Sequence, residues 1–335
     1  MTTIYQRLMA VLAGCLFSVS CLAQADQAYC DSHPDDCMAV GQWQFSVGLG
    51  LGGRTNPLVD GDTIPIVLLP QVSYYGERFF LDTTSIGFTL LESRRHMLNV
   101  VATLGLDQMY FNDLSLGNFV IEGTGGSFNA GGLITSGAEN NDGESLEVRV
   151  RDETTTPNTT DRDGPNEFFH KTLVSENTPP TYSLTLDDIG KRRMAGLAGV
   201  EYSLFLGQTV FSVQALQDFT GVHEGQEVRA GVDYRTFHGM NQFTLAGGMV
   251  WQSEEVVDYY YGLDASDVGS FRSLYYQGEA TATPYVRFDW VRPITKSWTF
   301  QATLHQKWFG SGISDSPLLE KDTSTTVFVG GVYHF

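Results

Sequence analysis

Beyond Lys191 the sequence falls into stretches whose side chains alternate between apolar and polar: Met194 to Leu206, Thr209 to Asp218, Gln226 to His238, Asn241 to Ser253, Ala280 to Arg292, Ser297 to Phe309 and Thr323 to Phe335. A two-residue period is the signature of strands. The connections alternate too. Gly207-Gln208, Gly239-Met240 and Pro293 to Lys296 are tight, whereas Phe219 to Gly225, Glu254 to Glu279 and Gly310 to Asp322 are long. Antiparallel strands with short turns at one end and long loops at the other are the pattern of a transmembrane antiparallel β-barrel with short periplasmic turns and long outer loops. An all-β fold is therefore expected.

The last stretch sharpens this expectation. Val327, Val329, Gly331, Tyr333 and Phe335 share one face of a strand that ends on a bare aromatic. A closed barrel uses such a strand by pairing it with the first, and Tyr333 and Phe335 are then expected to form a barrel-assembly signal. A buried last strand in a secreted sandwich is the competing reading.

The earlier chain supplies the remaining strands. Gln42 to Gly52 alternates cleanly, Arg54 to Thr63 is a loop by its breakers, and Ile64 to Tyr75 is a strand despite Pro65 and Pro70. His96 to Phe111 reads as one strand. Arg78 to Leu91 reads either as one strand or as two around Thr84-Ser85. Even strand number follows if both ends of the barrel chain lie on one side, and splitting that segment gives about twelve strands. The alternative is ten, with residues 64–83 as one long strand.

Residues 1–25 read as a signal peptide: Arg7, an apolar run from Leu8 to Leu22, and Ala23-Gln24-Ala25 as a small-x-small cleavage site. Leu12-Ala13-Gly14-Cys15 has the form of a lipoprotein box, but the apolar run continues past it. Residues 26–41 would be a periplasmic N-terminal segment. There Cys30 and Cys37 stand close enough to form a disulfide in an oxidising compartment, with a metal site shared with His33 as the alternative. Residues 42–335 would be the barrel, and 112–191, rich in Gly, Ser, Thr, Asn and acids, a long extracellular loop or insert.

Mean hydropathy is near neutral, and no apolar run after residue 25 is long enough for a helical span. The formal charge of -19 with no Lys/Arg cluster excludes nucleic acid as a partner.

The faces assign the interior. In Ser297 to Phe309, Trp298, Phe300, Ala302, Leu304 and Trp308 alternate with Thr299, Gln301, Thr303, His305 and Lys307. The apolar series is assigned to lipid and the charged series to the lumen, although a soluble barrel would reverse them. Glu227, Arg229, Asp233, Arg235, Arg287, Asp289, His305 and Lys307 are expected to make a mixed polar network there. Twelve aromatics near strand ends read as interface girdles: Trp43, Tyr74, Tyr75, Tyr110, Phe111, Trp251, Trp290, Trp298, Trp308, Phe309, Tyr333 and Phe335.

Enzyme chemistry finds little support. Histidines are few and there is no G-x-S-x-G elbow, so neither a catalytic set nor a cofactor is assigned. Asp161, Asp163, Asn166 and Glu167 place oxygens at alternating spacing that could hold Ca²⁺, against the reading of an acidic solvated loop. Outer carboxylates could also share divalent cations with outer-membrane lipid and lipopolysaccharide.

Several short pieces together resemble the MipA/OmpV family: Phe45-Ser46-Val47-Gly48-Leu49-Gly50, Leu69-Pro70-Gln71-Val72-Ser73-Tyr74 followed by Arg78-Phe79-Phe80-Leu81-Asp82, Tyr260-Tyr261-Gly262-Leu263, Ser314 to Leu319 and the final Gly331-Val332-Tyr333-His334-Phe335. The resemblance covers almost all of residues 26–335. The insert 112–191 and the Cys30/Cys37 segment depart from it. It implies a non-enzymatic outer-membrane barrel, in some members a scaffold between a periplasmic lytic transglycosylase and a peptidoglycan synthase, in others linked to adhesion or envelope stress, so that support of envelope integrity is the other expected role. Two other functions remain open from the residues: a small-solute channel, and a surface adhesin acting through the long acidic loops.

Overall fold

The computed structural model describes residues 41–111, 119–121, 184, 186, 189, 191–269 and 271–335. The chain separates into two compact units, Met1–Ser136 with Leu184–Phe335, and Gly137–Ser183. Only the first contains described residues. The signal peptide, Cys30 and Cys37, and the Asp161 to Glu167 group all lie outside them.

Twelve antiparallel strands close into a barrel in sequence order, with the last pairing the first. They are β1 (Gln42–Arg54), β2 (Ile64–Tyr75), β3 (Phe79–Asp82), β4 (Ser85–Glu92), β5 (His96–Leu104), β6 (Gly196–Leu206), β7 (Thr209–Asp218), β8 (Gln226–His238), β9 (Asn241–Gln252), β10 (Thr281–Pro293), β11 (Trp298–Trp308) and β12 (Thr323–His334). The segment 78–91 is thus two strands, and the count is twelve rather than ten. No helix among the described residues is long and apolar enough to cross a membrane.

The side-chain period decides what faces out. Phe211, Leu245, Leu304, Val327 and Val329 are all more than two-fifths exposed, and Trp298, Val232 and Trp251 on the same outward series are more than a third exposed. A continuous apolar belt of this kind is unfavourable in water and is what the hydrocarbon of a bilayer requires.

The tight turns between β6 and β7 and between β8 and β9 rest on Gly207 and Gly239, at φ +62° and +60°, a left-handed conformation that glycine adopts without strain. These turns lie at the end where β1 begins and β12 finishes, here the inner end. At the outer end β3 and β4 join by Thr83-Thr84, so this hairpin is low in the wall. β2 pairs with β3 only over Ser73 to Tyr75. Among the described residues no strand pairs with the outer part of β2 on that side. This explains Pro65 and Pro70: proline has no N–H for a ladder and is tolerated on an edge, and the β1–β2 register also shifts between Leu49 and Gly52.

One strand is shorter than its pattern predicts. His96 to Phe111 was expected to run on, but β5 stops at Leu104 and residues Asp107–Tyr110 form a 3-10 turn. Met109 and Tyr110 are then buried under the outer loops instead of facing lipid. The loops contain helices that a strand-period reading does not detect: α1 (Glu254–Tyr261), α2 (Ala265–Val268) and α3 (Ser311–Ser314).

Candidate functional site

The barrel interior is the candidate site, and side chains of two kinds fill it. Inward positions of β12 and β2 supply Phe328, Ile66 and Leu69, which cluster with Ile121 from the insert. Gly50 faces Gly330 across the closing seam, and the Phe328 ring lies over both. A Cβ at Gly50 would meet the ring at 2.8 Å and the Val329 carbonyl oxygen at 2.4 Å, so these positions must be glycine for the ring to seat. A second inward apolar cluster joins Phe80, Val101, Ala195, Leu197 and Leu216, with Tyr75 against it.

The wall from β8 to β11 carries a connected cluster of charges. Arg287 donates from Nε to Asp289 Oδ2 at 2.8 Å and places Nη2 3.5 Å from Asp233 Oδ1. Thr303 donates to the other Asp289 oxygen at 2.8 Å. Arg235 sits within electrostatic reach of Asp233. One layer outward, Arg229 pairs with Glu227, His305 meets Tyr285 edge-on at 5.4 Å between ring centroids, and the Lys307 ammonium lies 5.6 Å from the Tyr110 ring centroid and 5.8 Å from that of Phe309. The eight residues picked out by alternation therefore occupy two adjacent layers. Glu227, Arg229, His305 and Lys307 line a cavity of about 60 Å³ beneath the outer loops, room for a few waters.

Interior groups outside that prediction are as deeply buried. Glu201 on β6 accepts from Asn99 Nδ2 at 2.9 Å and from Gln214 Nε2 at 2.6 Å. Arg54, 1% exposed, donates to Thr326 Oγ1 at 3.1 Å, to Met109 Sδ at 2.8 Å and to the Val120 carbonyl at 2.8 Å. Both stand at inward positions of their strands, so parity was the signal that could have found them.

A fastened roof covers the outer end of the cavity. Asp107 accepts from Tyr261 Oη at 2.8 Å and from Gln252 Nε2 at 2.8 Å. Ser316 Oγ donates to the Tyr261 carbonyl at 2.6 Å, which ties the segment just after α3 to the end of α1. Arg192 reaches the Gly262 carbonyl at 3.2 Å and Asp267 at 3.3 Å, so the chain returning from the insert is held to the same roof. Burial, followed by the Asp107 charge, raises the Tyr260 phenol well above the usual tyrosine range. The β7–β8 loop is organised by Asp218, whose carboxylate accepts from the backbone N–H groups of Thr220, Val222, His223 and Glu224 at 2.7 to 3.0 Å. Burial lowers the pKa of His223 in this loop, although Asp218 opposes the shift.

The aromatic assignment divides. Trp43 with Tyr74, Trp290 with Phe300, and Trp298 with Tyr333 form ring pairs at 4.9 to 5.2 Å near the inner end. Tyr333 meets Phe335 edge-on at 4.9 Å. Tyr75 points inward instead, and Tyr110, Phe111 and Phe309 pack in the roof against one another or against α1. Those residues lie at strand ends in sequence, but the chain turns inward there.

Residues 47–335 match the family described as MltA-interacting protein MipA. The chain belongs to the MipA family. No curated protein matches the sequence. Solved structures similar to this member include the loop L8 deletion mutant of OmpT, an outer membrane protein of Vibrio cholerae, at 7% identity over 89% of this chain and 100% of that one with a TM-score of 0.28. Others are an anion-selective porin from Comamonas acidovorans, at 10% identity, 88% and 99% coverage and a TM-score of 0.29, and the CymD monoaromatic hydrocarbon channel, at 9%, 88% and 88% and 0.29. At such scores they carry no argument about this MipA-family chain, whose barrel rests on its own closed strand pairing.

Proposed function

We propose that this chain is a non-enzymatic outer-membrane barrel that works through its rims and not through its lumen, and that its inner rim faces the periplasm and docks a murein-remodelling lytic transglycosylase. The observation that carries the reading is the occupancy of the interior: among the described residues two apolar clusters and two charged layers project into it, and the charged layers border a cavity of about 60 Å³. A barrel filled in this way has its rims and loops left for recognition. The family description names MltA as the partner of the protein it describes, which supports a murein enzyme here. A peptidoglycan synthase would be the second enzyme of such a scaffold, and the acidic outer loops would meet lipopolysaccharide through divalent cations.

A specific interface buries roughly 800 Å² per partner. The rim turns are short, so residues 26–41 are needed to complete it, with the Cys30–Cys37 disulfide as a stiffening device. Tyr333 and Phe335 serve as the assembly signal that delivers the strand to its seam.

Two measurements test the reading. Purified protein in planar bilayers should show no conductance above background, and steady channel steps would overturn the closed lumen. A photo-crosslinker at Gln42 or Gln208 should trap a lytic transglycosylase in cells, and a clean absence of adducts from both positions would remove the scaffold.

A further inference from the structure

Charge divides along the barrel axis. The described connections at the outer end carry thirteen carboxylates against five cations, a net −8. Among the described residues at the inner end the balance reverses: Arg78, Arg94, Arg95, Arg292 and Lys296 stand against Glu77 and Glu92, a net +3. All five cations are exposed.

We propose that this inner rim is a binding site for the phosphate headgroups of anionic phospholipid. The inference rests on the reading of the barrel as membrane-embedded. The position of Arg292 favours lipid over a soluble partner. It belongs to the outward series of β10, two residues beyond Trp290, whose ring packs on Phe300 at 4.9 Å and whose Nε1 donates to Asn241 Oδ1 at 3.0 Å. Interfacial tryptophans sit at headgroup depth, so a cation one step further along the same face reaches the phosphate layer. Lys296 lies in the turn of the same hairpin, and Arg94 and Arg95 lie in the turn between β4 and β5. Guanidinium groups bind phosphate oxygens through two parallel hydrogen bonds, and ammonium adds a point charge. Each cation near an anionic surface adds about 1 kcal/mol, roughly fivefold in partition.

The test uses the full chain in mixed micelles that hold equal amounts of phosphatidylglycerol and phosphatidylcholine, with retained lipid counted by native mass spectrometry. Wild type should keep phosphatidylglycerol severalfold over phosphatidylcholine, less so at high salt. Arg292→Gln with Lys296→Gln, and Arg94→Gln with Arg95→Gln, should each reduce the preference, and the four together should abolish it. Arg94→Lys, Arg95→Lys and Arg292→Lys combined should retain most of it. Equal retention of the two lipids by wild type, or an unchanged preference in the fourfold variant, would overturn the proposal. So would co-sedimentation with murein sacculi that is lost in the fourfold variant without any lipid preference, which would assign the rim to the cell wall. Heat-modifiable gel mobility of each variant reports the barrel separately, so a failure of the membrane reading is distinguishable from a failure of lipid selectivity.

Discussion

The two walls of the barrel interior fill the same space by different chemistry. From β12 through β2 to β7 the inward positions carry the apolar clusters around Phe328 and Phe80, with Arg54 and Glu201 as separate buried charges, while from β8 to β11 they hold Arg287 between Asp233 and Asp289. Apolar filling is graded, because each buried methylene contributes separately. A buried ion cluster is closer to all-or-none, because removing one partner leaves the other charges desolvated and unpaired. The apolar wall should therefore lose stability in proportion to volume, and the charged wall in a single large step.

Arg287→Ala is the harshest test of that contrast. It should destabilise the barrel by about 3–5 kcal/mol by stranding two carboxylates, measured as a shift in urea-dependent refolding into lipid vesicles. Replacing Arg287, Asp233 and Asp289 together by apolar residues of similar size should recover most of the loss. A triple variant as weak as the single one would mean that the cluster contributes through its charges and not merely through its balance. On the other wall Phe328→Ala should cost about 3–5 kcal/mol at most, and Phe328→Leu distinctly less. A step as large for Leu as for Ala would break the graded picture.

Smaller effects are expected at the outer loops. Asp218→Asn keeps shape but gives up the carboxylate that accepts from four loop amides, so the Phe219 to Gly225 loop should gain amide hydrogen exchange while the strands keep theirs. A loss of about 1–3 kcal/mol confined to the loop fits the value of hydrogen bonds to a charged group. His223 supplies the smallest effect. Its folded pKa lies below the usual 6.5 because burial disfavours the imidazolium. The unfolded state then binds the extra proton first, so stability falls as pH drops below about 6.5 and levels off beneath the folded pKa. His223→Gln should flatten that slope in the loop's exchange rates between pH 7 and 5, and an unaltered slope would assign it to another group.

Much of the fold is legible in the residues. β2, β7 and β8 run over the stretches that alternation marks out, and Arg78 to Leu91 divides in two because strand parity demands an even number. The eight lumen residues were visible for the same reason: a side chain two positions from an inward neighbour is itself inward. Legibility fails where the chain leaves the two-residue period. Residues 105–111 continue the apolar content of β5 and so read as strand, yet Gly105 and Leu106 carry the chain inward and Tyr110 ends under Phe309. The helices α1 to α3 escaped because each is short and is held by tertiary partners, such as Ser316 on the Tyr261 carbonyl. Glu201 lay on an inward face but was passed over because it stands among apolar residues rather than in a charged series, and Arg54 was missed because it reads as the start of the loop to Thr63, whereas β1 runs on to it.

The sequence by itself determined the all-β pattern, most of the strand positions, the two alternating faces and the asymmetry between turns and loops, since all of these follow from a local period of two and from where it breaks; the closed pairing decided twelve strands over ten. Only the tertiary structure decided which inward side chains meet inside the barrel. Whether inward side chains leave a passage depends on which of them meet across the lumen, as Phe328 meets Ile121 and Arg287 meets Asp233. Those partners come from strands and loops distant in sequence, and no local period carries the distance between them.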